Sequence, residues 1–129
     1  KMLGARKSLV VHGGDGLDEL TVSCESYVAF VTQDGVKLQE ICPEDFGLKR
    51  SDLSSVKVKT PDESAAIIKA VFDGQKGVAF DMVALNAGAA LYVADKAVDI
   101  GQGVELAADI LDSGRARETL ARLVDVSNS

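Results

Sequence analysis

Two adjacent acidic residues, Asp18 and Glu19, follow a glycine-rich stretch, Gly13–Gly16, and are the side chains of this chain best suited to chemistry. An apolar run, Leu9–Val11, leads into the glycines and is continuous rather than alternating, which predicts a strand buried on both faces. The end of this strand would deliver the two carboxylates. Mg²⁺ prefers oxygen ligands, keeps several waters and commonly binds the phosphates of a substrate. We therefore predict a Mg²⁺ site at Asp18 and Glu19 that serves a phosphate-bearing substrate.

A purely structural role is the alternative for this acidic pair. Acidic side chains are also common in the first turn of a helix, where they interact favourably with the helix dipole. The preceding glycines favour a ligand site, because glycine lets backbone N–H groups approach a ligand closely. Their spacing nevertheless matches neither the dinucleotide-binding fingerprint nor the phosphate-binding loop that ends in Lys and Ser or Thr.

Two other polar residues stand at informative positions. His12, the single histidine, lies at the predicted strand end and is either an acid–base group or an ordinary polar residue. Asn86 interrupts an otherwise apolar helical segment, and a buried amide must find hydrogen-bond partners. We predict that Asn86 bonds a nearby loop or backbone group, with support of the acid-bearing loop and ligand contact as the alternatives. Cys24 and Cys42 fit no zinc motif and are predicted to be reduced.

These residues must be positioned by secondary structure. The spacing of apolar residues is typical of strands in the first half of the chain and of helices in the second half. Strands and a hairpin turn are predicted at Ser8–Gly13, within Thr21–Val31, at Gln33–Gly35 and at Val56–Lys59. Short helical turns are predicted at Cys42–Gly47 and Ser51–Ser55. Helices are predicted from the capping box Thr60–Glu63 to Gly74, over Val78–Ala94, from Asp99 to Gly114, and around Leu120 and Leu123. Their periodicity predicts that Ile68 and Leu106 are buried, and the small residues 87–90 are predicted to let neighbouring backbones approach closely. The order predicts an α/β fold in which a small sheet is followed by a cluster of helices.

Composition limits the function classes. The 129 residues form one domain at most, and a hydrophobic content of 47% supports a packed core. The net charge of −6 disfavours a nucleic-acid binder, because phosphate neutralisation requires clustered Lys and Arg. Asp81 and Asn86 interrupt the least polar segment, and no signal peptide is evident, so we predict a cytoplasmic protein with no membrane partner. Lys1–Gly4 is typical of a helix end, which predicts that the chain starts inside a larger protein, with residues added for expression as the alternative.

Four segments, taken in order, resemble motifs of anthranilate phosphoribosyltransferase: Leu9–Leu20, Cys42–Leu48, Leu85–Val93 and Ile110–Ala116. The first reads Leu-Val-Val-His-Gly-Gly-Asp-Gly-Leu-Asp-Glu-Leu and contains the acidic pair. Together the segments cover most of the chain. The resemblance implies the α/β catalytic domain of the nucleoside phosphorylase and phosphoribosyltransferase fold.

The resemblance also implies a reaction. Members of that family transfer phosphoribose from phosphoribosyl pyrophosphate (PRPP) to the amino group of anthranilate in tryptophan biosynthesis, and they act as homodimers. Carried over to this sequence, the role of the family's Asp-Glu motif falls to Asp18 and Glu19, which would help to hold the Mg²⁺ that accompanies PRPP. The implied catalysis depends on leaving-group stabilisation, without a protein nucleophile.

Several family features would lie before Lys1. They are the Gly-Thr-Gly-Gly-Asp pyrophosphate loop, the Asn-x-Ser-Thr and Lys-His-Gly segments, the arginine that meets anthranilate, and the helical domain that forms the dimer. We therefore expect residues 1–129 to be the C-terminal portion of the α/β domain, to need that N-terminal part as a partner, and to be inactive alone. A nucleic-acid-binding relative and a pyrimidine nucleoside phosphorylase are the alternatives. The acidic balance argues against the first, and the Asp-Gly-Leu-Asp-Glu order argues against the second.

Overall fold

The structure, a computed structural model, describes residues 7–119, and a three-stranded antiparallel sheet forms its first half. The strands are β1 (Lys7–Gly13), β2 (Ser26–Thr32) and β3 (Gly35–Ile41), in that spatial order. Thr32 pairs with Gly35, so two residues form the predicted hairpin loop, and the positive φ of +128° falls on Gly35. Val28 and Phe30 share a face, and both contribute to the core.

Residues 7–119 cover one face of this sheet and leave the other exposed. Leu9 and Val11 pack against the core, whereas Val10 is 65% exposed. The prediction that the apolar run of β1 is buried on both faces is therefore wrong for Val10. The register aligns Val10 with Ala29 and Ala29 with Leu38, which is 80% exposed, so an apolar row crosses the outer face. A contiguous apolar row of this kind is typical of a surface that packs against another element.

Three helices cover the inner face: α1 (Pro61–Phe72), α2 (Val78–Val93) and α3 (Ile100–Asp112). The predicted N-caps are confirmed, because Thr60 Oγ1 accepts from Glu63 N–H at 3.1 Å and Asp99 Oδ1 accepts from Gln102 N–H at 2.7 Å. No helix within residues 7–119 is long and apolar enough to cross a bilayer. The predicted terminal features at Lys1–Gly4 and at Leu120 and Leu123 lie outside the described residues.

Two short 3₁₀ helices, Pro43–Phe46 and Leu53–Val56, join the sheet to the helices. The first confirms the predicted turn, and Gly47 closes it at φ +73°. The predicted strand Val56–Lys59 is wrong. Asp52 accepts from Ser54 N–H at 2.6 Å, which starts a 3₁₀ turn that takes in Val56 and leaves no strand at this point.

The core lies between the inner sheet face, α2 and α3. Gly88 of α2 and Gly103 of α3 meet at the crossing, where a Cβ built on Gly103 would lie 2.1 Å from the Gly88 carbonyl oxygen. The prediction that small residues of α2 allow close backbone approach is confirmed at Gly88. Leu106 and Ile68, both predicted to be buried, are 37% and 45% exposed, because they lie at the edges of their helices' buried stripes.

Candidate metal site

The loop that joins β1 to β2 begins with a tight turn. Gly13 N–H donates to the Leu17 carbonyl at 2.8 Å, and Gly16 N–H donates to the Gly13 carbonyl at 3.0 Å. A Cβ on Gly13 would lie 2.6 Å from Asp15 Oδ1, so only glycine fits there without a shift. The glycine-rich stretch thus reverses the chain immediately before the acidic pair.

Asp15 ties the two sides of this loop together. Its Oδ2 accepts from the hydroxyls of Thr21 and Ser23, each at 2.6 Å, and its Oδ1 accepts from Leu17 N–H at 3.1 Å. Partial burial acts to raise the pKa of Asp15, but the bonds from Ser23, Thr21 and Leu17 outweigh it, so the pKa lies below its ordinary value. Sequence reasoning missed this contribution. The signal in the sequence was the Asp15-Gly16 pair, because an Asp at such a position commonly accepts a hydrogen bond from the backbone of its own turn.

We expect Asp15→Asn to destabilise the protein at neutral pH by at most about 1 kcal/mol, because hydrogen bonds to a charged acceptor are weakened but solvent screens this exposed carboxylate. The folded-state pKa is depressed, so the stabilisation is fully present above the unfolded value near 4 and is lost as the pH falls through the folded value. Thermal unfolding of parent and variant between neutral pH and roughly pH 3 checks this, and the difference in Tm should shrink on acidification.

The matched control for Asp15→Asn is Asp34→Asn in the hairpin loop, whose carboxylate accepts no hydrogen bond from any residue between 7 and 119. It should leave Tm nearly unchanged at every pH. A difference for Asp15→Asn that does not vary with pH would contradict the assigned role of the carboxylate.

The residues after the acidic pair anchor the loop in the core. Leu20 and Val22 are fully buried, and Thr21 is 1% exposed. Thr21 N–H donates to Ser26 Oγ at 3.0 Å, and the Val22 carbonyl accepts from Ser51 N–H at 2.9 Å. The segment after the acidic pair is therefore held by burial and by hydrogen bonds to Ser26 and Ser51.

Asn86 connects this segment to α2. Its Oδ1 accepts from Leu20 N–H at 2.9 Å, and its Nδ2 donates to the Leu20 carbonyl at 2.8 Å and to the Met82 carbonyl at 3.0 Å. The prediction that Asn86 bonds a nearby loop is confirmed, and the loop is the one that carries the acidic pair.

Asp18 and Glu19 themselves are exposed and lie in a bend rather than in a helix. The helix-dipole alternative is therefore wrong for this pair. Among residues 7–119, no group donates a hydrogen bond to either carboxylate and no Lys or Arg forms an ion pair with it. Both carboxylates are consequently available to a cation.

The chain supplies only part of a coordination sphere. Within the described part of the chain, no group of three or more His, Cys, Asp or Glu is placed to hold a metal ion. Two carboxylates still suit Mg²⁺, which takes its remaining ligands from water and from substrate phosphates. The two carboxylates therefore fit a Mg²⁺ ion that is also bound by water and by substrate phosphates.

Clefts adjoin the loop on two sides. One, of about 430 Å³, is bordered by Glu19, Asn86 and apolar residues of α2. The other, of about 470 Å³, is bordered by Asp15, Ser23, Arg50 and Lys57. Arg50 is already bonded to Glu44 at 3.0 and 3.1 Å, so Lys57 is the more available cation of this second cleft.

The remaining candidates do not join the acidic pair. His12 is exposed near the end of β1 and pairs across the sheet with Tyr27, and its role stays a prediction. Cys24 and Cys42 are free thiols, as predicted.

Comparisons with known proteins identify related sequences. Residues 1–117 match the family described as "Glycosyl transferase family, a/b domain". Anthranilate phosphoribosyltransferase from Geobacter sp. (strain M21) is 44% identical over 99% of this chain and 36% of its own length. The enzyme of the same name from Aquifex aeolicus is 41% identical over 99% of this chain and 38% of its own length. The chain thus spans little more than a third of these relatives, and the resemblance inferred from the four motifs is confirmed.

Solved structures agree with the sequence comparisons. The crystal structure of anthranilate phosphoribosyltransferase from Thermus thermophilus is 40% identical and covers 95% of this chain and 36% of its own, with a TM-score of 0.85. The Saccharomyces cerevisiae enzyme in complex with PRPP and Mg is 25% identical with a TM-score of 0.82, over 95% of this chain and 36% of its own. The predicted α/β fold class, a small sheet followed by helices, is confirmed.

Proposed function

Because the chain belongs to the glycosyl transferase family through its α/β domain, we propose that the protein containing it transfers phosphoribose from PRPP to the amino group of anthranilate. The reaction releases pyrophosphate and serves tryptophan biosynthesis. Relatives of that name at 41–44% identity support this proposal, as does the complex of a similar enzyme with PRPP and Mg.

The proposal extends to the organisation of the protein. Residues 1–129 would be the C-terminal portion of the catalytic α/β domain, and the preceding part would supply the pyrophosphate loop, the anthranilate contact and the homodimer interface. The exposed apolar row on the outer sheet face supports this arrangement, because an apolar face of that kind is normally covered in a complete domain. We propose a cytoplasmic location for the whole enzyme.

In this proposal Asp18 and Glu19 hold the Mg²⁺ that accompanies PRPP. The observation that carries it is a pair of exposed carboxylates without partners among residues 7–119, on a loop anchored by buried residues on its C-terminal side. When bound, the metal would neutralise negative charge on the departing pyrophosphate. The chain's own contribution is to present two carboxylates on the loop between β1 and β2, which hydrogen bonds and buried residues hold in place.

The experiment is an assay of the full-length protein with anthranilate, PRPP and Mg²⁺. We expect loss of anthranilate fluorescence together with pyrophosphate release, both dependent on all three components. Phosphate-dependent cleavage of uridine without this activity would instead identify a nucleoside phosphorylase. Retention on heparin at moderate salt without either activity would identify a nucleic-acid binder, which the net charge of −6 disfavours.

A further inference from the structure

The hydrogen bonds of Asn86 fall on the backbone beside the acidic pair. Leu20 N–H belongs to the peptide unit that also contains the Glu19 carbonyl, and this N–H donates to Asn86 Oδ1 at 2.9 Å. Asn86 Nδ2 donates to the Leu20 carbonyl at 2.8 Å, which belongs to the next peptide unit. Because peptide units are planar, holding two consecutive ones determines the direction in which the chain leaves Glu19.

The amide of Asn86 is fully used in this arrangement. Its second Nδ2 hydrogen bonds the Met82 carbonyl at 3.0 Å, one turn earlier in α2. The opposite amide orientation would set the NH₂ group against Leu20 N–H, donor against donor, so the bonding pattern determines the orientation. Alanine or leucine would suit the interior of a helix better than asparagine, so helix formation alone does not explain this residue.

Asn86 and Glu19 also border the same cleft beside α2. The contact between Asn86 and Leu20 spans 66 residues of sequence, so it joins the acidic loop to the central helix. On the N-terminal side of the acidic pair, the hydrogen bonds from Thr21 and Ser23 to Asp15 hold the turn. The acidic pair is therefore held from both sides. Asn86 provides the connection to α2 that lies nearest the pair, and Val22 N–H adds a second one to Met82 Sδ at 3.3 Å.

We propose that Asn86 is a positioning residue for the metal site, which orients the Glu19–Leu20 peptide unit so that both carboxylates reach one ion. It acts through the backbone and does not touch the metal. This inference rests on the proposed metal role of Asp18 and Glu19.

The test uses the full-length enzyme with Mn²⁺ as a paramagnetic substitute for Mg²⁺, and bound metal is measured by electron paramagnetic resonance in the presence of PRPP. We expect Asn86→Ala to weaken Mn²⁺ binding by about 10-fold, the lower end of the range for groups that orient metal ligands. The Mg²⁺ concentration for half-maximal turnover should rise by the same factor, while kcat at saturating Mg²⁺ should change far less.

A second variant, Asn86→Asp, keeps the shape and one acceptor but loses the two donors. The added negative charge alone would strengthen cation binding, whereas loss of positioning weakens it. Weaker Mn²⁺ binding by Asn86→Asp would therefore support the inference, and unchanged or tighter binding would overturn it.

Phe80→Leu is the matched control for general destabilisation, since Phe80 is buried in the same helix and lies beside Lys76. Phe80→Leu should lower Tm without shifting metal affinity. A shift in metal affinity equal to that of Asn86→Ala would overturn the inference.

The variant with Asp18→Asn and Glu19→Gln separates the positioning inference from the proposed metal role. If that double variant binds Mn²⁺ as tightly as the parent, the proposed metal role of Asp18 and Glu19 is wrong. If the double variant binds Mn²⁺ weakly but the Asn86 variants bind it as tightly as the parent, only the positioning inference is wrong.

Discussion

Replacing Asp18 with Asn and Glu19 with Gln in the full-length enzyme should lower Mg²⁺-dependent turnover by about 10³-fold, equivalent to about 4 kcal/mol of transition-state stabilisation. The substitutions keep the side-chain shapes and remove both charges. Folding should be unaffected, because both side chains are exposed and no residue between 7 and 119 bonds either carboxylate. Turnover measured against Mg²⁺ concentration, together with thermal unfolding, checks the prediction.

The chain contains its own control for this experiment. Asp62 and Glu63 form a second Asp-Glu pair, which lies in the first turn of α1. There Glu63 accepts from Lys59 N–H at 2.9 Å, so this pair serves the helix N-terminus. Asp62→Asn with Glu63→Gln should lower stability slightly and leave the Mg²⁺ dependence unchanged. If both double variants lose Mg²⁺ dependence equally, or if neither does, the role assigned to Asp18 and Glu19 is wrong.

Gly103→Ala should cause the largest loss of stability of any glycine-to-alanine change among the described residues. Its Cβ would lie 2.1 Å from the Gly88 carbonyl oxygen, and the obstacle is backbone in the middle of α2 rather than a movable side chain. The two helices must separate to accommodate it, which loosens the contacts of Val104 and Ala107 with the core. We expect a loss of more than about 3 kcal/mol in the free energy of unfolding, at the upper end of overpacking effects.

Gly101→Ala tests whether the close approach of α2 and α3 causes the loss of stability expected for Gly103→Ala. Gly101 lies in the same helix, but its Cβ would meet nothing closer than Asp99 Oδ1 at 3.4 Å. Since alanine favours helix more than glycine, this change should be neutral or stabilising by up to about 1 kcal/mol. Denaturant unfolding of both variants gives the comparison. Equal destabilisation by Gly101→Ala and Gly103→Ala would show that the close approach of α2 and α3 is not the cause.

Features that depend on residues close together in sequence were predictable. The β1 strand, the hairpin at Gly35 and the caps at Thr60 and Asp99 follow from interactions within three or four residues, and all are present. One failure was also local in origin. The alternation at Val56–Lys59 is typical of a strand, but the Asp52 cap competes with it and produces a 3₁₀ turn.

The sequence by itself determined the family, the order of sheet and helices, and the exposed acidic pair after a glycine turn. The tertiary structure alone decided which sheet face is covered, that Gly88 faces Gly103, and that Asn86 holds Leu20 from 66 residues away. The physical reason is that propensity, capping and periodicity act over one helical turn or one hairpin. A contact between distant segments depends instead on how both pack against a common core, which no single stretch of sequence contains.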